Sequence, residues 1–244
     1  MNNDCIIITG AGKGIGRAIA TTFATVASNE EEVKPHLVLI SRTRSDLASV
    51  AAECETLGTT CDTFVADIGN SNDTRQIIDT TIARHGRINA LINNAGIGIF
   101  KDFCTFTTED YERTMETNVR GTFFLTQQVF AIMQQQRSGH IFFITSVAAE
   151  TVFSTSALYS MSKFAQKGFI EALRLHARSC NVRVTNVVPG AVITPMWPDL
   201  AETTRSLMLQ PEDIAIPLVT TYRMPERATI EELRIRPIAG DLKD

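Results

Sequence analysis

Along this chain, short runs of consecutive apolar and β-branched residues alternate with longer stretches whose apolar positions recur at helical spacing. Residues 5–9 (CIIIT) read as a strand buried on both faces, and residues 14–28 as a helix with Ile15, Ile19, Phe23 and Val26 on one side. A strand at 37–40 and a helix at about 44–57 follow. Thr43 and Asp46 are spaced as a capping pair there, and Gly58 stands just past the helix end. Further strands are expected at 63–66, 88–92, 141–145 and 182–188. Between them the pattern places helices from about 72 to Gly86, from Thr107-x-x-Asp110 to about 136, and over 157–179.

Strands alternating with helices, each strand continuously apolar, predict a parallel sheet covered on both faces. The expected fold is therefore α/β: one Rossmann-type, doubly wound domain of about seven strands over residues 1–244, with a ligand cleft at the carboxyl ends of the strands. Residues 189–210 read as a long loop suited to an active-site lid. Pro211 suits the first turn of another helix, and residues 231–236 a last strand.

Composition narrows the class. With 44% hydrophobic residues and a net charge of -4, the 244-residue chain has the core content of a globular protein, not of a disordered one. Its 23 basic residues are outnumbered by 27 acidic ones without any basic run, which disfavours nucleic acid as a partner. No window approaches the roughly 18 consecutive apolar residues of a membrane span. The opening Met1-Asn2-Asn3-Asp4 lacks the positive start of a secretory signal, so the cytoplasm is the expected compartment. Cys5, Cys54, Cys61, Cys104 and Cys180 are scattered and read as reduced thiols packed as small hydrophobes. His36, His85, His140 and His176 show no ligand spacing with one another or with the cysteines, and no metal is expected.

Two groups of residues carry chemistry. Thr9-Gly10-Ala11-Gly12-Lys13-Gly14-Ile15-Gly16 joins the first strand to the first helix, where glycines admit a pyrophosphate to the helix N-terminus. Tyr159 and Lys163 are one helical turn apart on one face. A phenol with a pKa near 10 exchanges protons poorly at neutral pH, and a nearby ammonium is expected to lower it. Ser146 ends the preceding strand, at the edge where the cleft is expected.

Together with Asn93-Asn94-Ala95-Gly96, Asn118, Pro189-Gly190 and Thr194, these motifs resemble the short-chain dehydrogenase/reductase family over residues 4–194. The resemblance implies that Tyr159 donates a proton to a substrate carbonyl as hydride arrives from a nicotinamide. It implies that Ser146 holds the carbonyl oxygen and that Lys163 lowers the Tyr159 pKa and binds the ribose. Asn118 would position a water in the proton relay. Gly10, Gly12, Gly14, Ile15, Gly16, Asn94, Ala95 and Gly96 would line the cofactor; Pro189, Gly190 and Thr194 would grip its carboxamide. Asp67 and Ile68 would contact the adenine. The second strand ends in Ser41-Arg42-Thr43, without the carboxylate that binds an unphosphorylated ribose. With Lys13 in the glycine turn, two cations and no carboxylate suit a 2′-phosphate, so NADP(H) is the expected cofactor.

A closer resemblance, over nearly the whole chain, is to bacterial members that reduce a ketone on a pterin side chain, as in tetrahydrobiopterin synthesis. It is carried by Ser138-Gly-His-Ile-Phe-Phe-Ile-Thr-Ser146-Val-Ala-Ala149, Thr194-Pro-Met-Trp197, Pro211-Glu-Asp-Ile-Ala215 and the stretched connection 28–36. Trp197, the only tryptophan, stands on the expected lid as a stacking surface for a flat ring, with Phe100, Phe153 and Met196 completing an apolar slot. Asp199, Glu202 or a C-terminal residue would pair with the amino-amidine edge of the ring. The chain ends without the glycine-rich segment that builds tetramers in many members. A homodimer through the long helices, which carry Phe123, Phe124, Phe130 and Met133, is the expected assembly. The alternatives are a general short-chain ketoreductase of oxoacyl, diketone or steroid-like carbonyls and an NADP(H)-binding sensor or scaffold.

Overall fold

In the computed structural model, which describes residues 4–28, 35–197 and 201–241, seven strands form one parallel sheet in the order β3-β2-β1-β4-β5-β6-β7. The strands are β1 (Cys5–Thr9), β2 (His36–Ser41), β3 (Thr60–Val65), β4 (Ala90–Asn93), β5 (Gly139–Ile144), β6 (Val182–Pro189) and β7 (Glu232–Ile235). In β1, Ile7 is opposite Val38 on one side and Leu91 on the other. The strand order reverses between β1 and β4, which opens a crevice at the carboxyl ends of these two strands.

Alternate side chains of the inner strands feed two separate cores. Ile6 and Ile8 pack with α1 (Gly14–Ser28), α2 (Arg44–Thr56) and α8 (Glu212–Tyr222), through Phe23, Leu47 and Leu218. Cys5 and Ile7 face α3 (Ser71–His85), α5 (Thr122–Gln136) and α6 (Ala157–Ala177), through Ile77, Leu125 and Ile170. Because β1 has no solvent face, all its side chains are fully buried, each isoleucine contributing roughly 2–3 kcal/mol relative to exposure. The edge strands β3 and β7 are half exposed, unlike the buried strand expected at 63–66.

Several local expectations are corrected. Thr43 occupies the N-cap of α2, but its side chain makes no capping bond, and Asp46 instead reaches Lys13 at 3.1 Å. The Thr107–Asp110 capping box does form, opening α4 (Thr108–Met115). The long helix expected from there to 136 is split by a π-helical segment, Glu116–Gly121. Gly121 lets this segment close on the loop after β3, since a Cβ there would stand 2.8 Å from the Ile68 carbonyl oxygen. Residues 189–210 contain a short helix, α7 (Glu202–Arg205), and the bridge between Val192 and Leu209 closes the base of the segment. Cys104 is exposed, whereas Cys5, Cys54 and Cys180 are buried as expected. Of the aromatic and methionine residues expected at an interface, Phe123 and Phe124 are exposed, but Met133 is buried in the core. Asp199 and parts of the 28–36 connection lie outside the described residues. Among the described residues, no helix is long and apolar enough to cross a membrane.

Candidate active site

The crevice at the β1–β4 reversal is a cavity of about 830 Å³. One end is lined by Lys13, Ser41, Arg42, Thr43, Asp67 and Ile68; the middle by Gly10, Gly14, Ile15 and Asn94–Gly96; the far end by Ser146, Tyr159 and Lys163. Pro189, Gly190 and Thr194 wall the same far end. Gly12 and Gly16 are structural instead. A Cβ on Gly16 would sit 2.3 Å from the Gly10 carbonyl oxygen, and one on Gly12 would sit 2.9 Å from Asp46 Cβ. Gly14 adopts φ +52, and a Cβ there would press on Thr194 at 3.1 Å, so the turn admits only glycine. Asn94 braces the turn from β4: its Nδ2 donates to the carbonyls of Thr9 (2.9 Å) and Gly10 (3.2 Å).

Ser146 caps a short 3₁₀ turn, and its Oγ accepts from Ala148 N–H at 3.1 Å. The Tyr159 phenol lines the same end of the cavity, close enough to this hydroxyl to feel it electrostatically. Lys163 is buried, and its Nζ donates to Ile144 O (3.0 Å) and to Gln166 Oε1 (3.1 Å). The nitrogen lies over the Tyr159 ring, 5.6 Å from its centroid. Burial pushes the Tyr159 pKa up, the neighbouring Ser146 hydroxyl pulling the other way, while burial draws Lys163 down to about 7. This corrects the expectation that an ammonium lowers the phenol: in the free protein, loss of water dominates both groups.

Asn118 does not line the cavity. The π-helical segment turns it inward, where it is fully buried; Oδ1 accepts from Ile97 N–H (2.9 Å) and Nδ2 donates to Ile97 O (2.9 Å) and Ser162 Oγ (3.0 Å). Its backbone carbonyl accepts from Gln166 Nε2 at 2.6 Å. Gln166 therefore joins Asn118 to Lys163, a link that sequence reading missed. Its position three residues after Lys163, on the same helix face, was the one signal available.

The far end is aromatic. Phe100 and Trp197 stack 4.9 Å apart at 15°, and Phe100 also lies 5.5 Å from the Tyr159 ring. Phe153 and Met196 line the same end. Arg205 of α7 donates to Trp197 O at 3.4 Å, tying the short helix to this wall. Glu202 is solvent-exposed at the start of α7. Asp241 lines the cavity instead; its Oδ2 lies 3.4 Å from Arg236, and its Oδ1 is buried without a hydrogen-bond partner among the described residues.

At the opposite end, Lys13 pairs with Asp46 at 3.1 Å and Arg42 with Asp67 at 3.6 Å. The reading of two cations without a carboxylate is thus corrected: folding brings one carboxylate to each. All four charged groups remain at least partly exposed, so both pairs are weak and easily opened.

A family model described as short chain dehydrogenase matches residues 4–205. The chain is 51% identical over 239 residues to a sepiapterin reductase of Chlorobaculum tepidum, covering 98% of each protein. It is 34% identical over 195 residues to the 7alpha-hydroxysteroid dehydrogenase of Escherichia coli, covering 80% of this chain and 73% of that one. Among solved structures it is similar to a metagenomic short-chain oxidoreductase in complex with NADP, with a TM-score of 0.82 and 26% identity over 96% of each chain.

Proposed function

This chain belongs to the short-chain dehydrogenase family, and on that premise we propose that it reduces the side-chain ketone of a pterin at the expense of NADPH. The observation that carries the reading is the convergence of Ser146, Tyr159 and Lys163 beneath the Phe100–Trp197 pair. The relatives named for sepiapterin and for NADP support it.

The residues fit the cofactor. The cavity lining runs from Arg42 after β2 to Ser146 after β5, the helix N-terminus at Gly14 suits a pyrophosphate, and Lys13 and Arg42 suit a 2′-phosphate that displaces Asp46 and Asp67 from them. When bound there, the reduced nicotinamide supplies the hydride. Tyr159, kept protonated by its burial, gives its proton to the carbonyl oxygen, a contribution of about 10²–10⁴ in rate. Ser146, its hydroxyl oriented by Ala148 N–H, hydrogen-bonds the same oxygen. Lys163 is held beside the phenol by Ile144 O and Gln166, and Asn118 holds Gln166.

A flat ring entering between Phe100 and Trp197 needs planes about 7 Å apart, two contacts of roughly 3.5 Å. The segment 189–210 acts as the lid that opens by the remaining distance, within a chain that works as one NADP-binding domain. The free oxygen of Asp241 accepts from the amino-amidine edge of the pterin, a role the sequence left open between residues. Phe123 and Phe124, joined by exposed Met161 and Phe164, form the contact of a homodimer, which sedimentation tests directly. Five unpaired thiols suit the cytoplasm.

The test is NADPH oxidation with sepiapterin, diacetyl and an acetoacetyl thioester. Sepiapterin is expected to give by far the highest kcat/KM. Equal or greater efficiency on the small carbonyls would establish a general ketoreductase, and NADPH binding without turnover of any would establish a sensor.

A further inference from the structure

At the amino-terminal edge of the sheet, His36 opens β2, Asp62 lies within β3 and His85 ends α3. His36 and Ser41 stand at opposite ends of β2, so this edge faces away from the cavity. His36 Nε2 lies 3.5 Å and His85 Nε2 3.3 Å from the same oxygen, Asp62 Oδ2. The two imidazoles stack with centroids 4.0 Å apart, and the three ligating atoms all lie within 4.8 Å of one another. Sequence spacing concealed the cluster, because each residue comes from a different element.

The geometry points to a cation. A tetrahedral zinc ion bound at about 2.0–2.2 Å by nitrogen and oxygen holds its ligand atoms roughly 3.3–3.5 Å apart, and both nitrogen–oxygen edges here have that length. His36 Nδ1 is 2.8 Å from Thr60 Oγ1; in the tautomer that donates there, Nε2 carries its lone pair towards the cluster. That nitrogen is buried and has no hydrogen-bond partner among the described residues. A lone pair facing a carboxylate oxygen is repelled unless positive charge lies between them. Arg84 donates to the other oxygen, Asp62 Oδ1, at 2.8 Å and leaves Oδ2 to the two rings.

We propose that His36, Asp62 and His85 form a site for a divalent first-row transition ion, Zn²⁺ above all, with solvent in the fourth position. The ligand set of two imidazoles and one carboxylate suits this class. The two rings, stacked 4.0 Å apart, must turn about their broad χ2 torsions and spread to roughly 5 Å for both lone pairs to meet one ion at a tetrahedral angle. The bound ion would pin the start of β2, the edge strand β3 and the end of α3. It stabilises the fold and takes no part in carbonyl reduction.

Calorimetric titration of the chelator-treated full-length protein with Zn²⁺ is expected to show one equivalent bound in the micromolar range, with Tm raised by several degrees. Asp62→Asn and His85→Gln should each weaken binding at least tenfold. Arg84→Gln should tighten it several-fold, because a cation competing for Asp62 is removed; misfolding cannot produce that gain. Cobalt in place of zinc should show the visible bands of a tetrahedral nitrogen–oxygen site without a thiolate charge-transfer band. Reductase activity should be equal with and without the metal. Absence of binding, binding that survives in the His36→Gln/His85→Gln double variant, or a thiolate band would overturn the proposal.

Discussion

Lys163 Nζ lies over the face of the Tyr159 ring, 5.6 Å from its centroid, while two acceptors, Ile144 O and Gln166 Oε1, hold its protons. The lysine is thus fixed beside the phenol by the strand end and by α6, and burial draws its pKa down to about 7. The consequences concern both stability and catalysis.

For stability, the sign follows from proton counts. An unfolded lysine has a pKa near 10.4, so between about pH 7 and pH 10 the unfolded state binds more protons at Lys163 than the folded state does. The lysine therefore opposes folding most below pH 7 and progressively less as pH rises, by up to about 1.4 kcal/mol per pH unit. Lys163→Met should gain stability relative to the parent at pH 7 and lose that advantage by pH 10. Urea unfolding of both proteins across this range checks it; a pH-independent difference would refute the shifted lysine.

For catalysis, Tyr159→Phe keeps the ring and removes the proton. Reductive turnover is expected to fall by about 10²–10⁴ while the Kd for NADPH stays within a few-fold. Steady-state rates and fluorescence titration separate the two quantities. Undiminished turnover would remove Tyr159 from the mechanism.

On the proposed reading, cofactor preference depends on opening the Lys13–Asp46 and Arg42–Asp67 pairs. Arg42→Asp places a carboxylate at the end of β2 and should shift the ratio of kcat/KM towards NADH. Asp46→Asn frees Lys13 from its 3.1 Å partner and should tighten NADPH without affecting NADH. If neither ratio moves, the 2′-phosphate is recognised elsewhere.

On the proposed reading, the stacked Phe100–Trp197 pair sets substrate choice. Trp197→Ala and Phe100→Ala should each raise KM for sepiapterin at least tenfold and change KM for diacetyl little, because a small diketone has no ring to stack. Parallel increases for both substrates would show that the two rings merely pack the lid.

Much of this was legible in the sequence. The continuous apolar strands, the glycine turn and the one-turn spacing of Tyr159 and Lys163 are local patterns, governed by periods of two and 3.6 residues and by the conformations only glycine adopts. The Thr107–Asp110 capping box could be read for the same reason. The Thr43–Asp46 pair has compatible residues and spacing, yet Asp46 turned to Lys13, thirty-three residues earlier, because the glycine turn packs against α2.

The sequence by itself determined the order of elements, the parallel sheet and the residues that reach its carboxyl edge, since these follow from short-range backbone geometry and hydrophobic period. Only the tertiary structure decided how those residues are occupied. It turned Asn118 inward through the π-helical segment, linked it to Lys163 through Gln166, and set a carboxylate against each cation of the cofactor cleft. It brought Asp241 to the cavity and gathered His36, Asp62 and His85 at the opposite edge. Each of these depends on distances between elements far apart in the chain, which packing fixes and residue spacing does not encode.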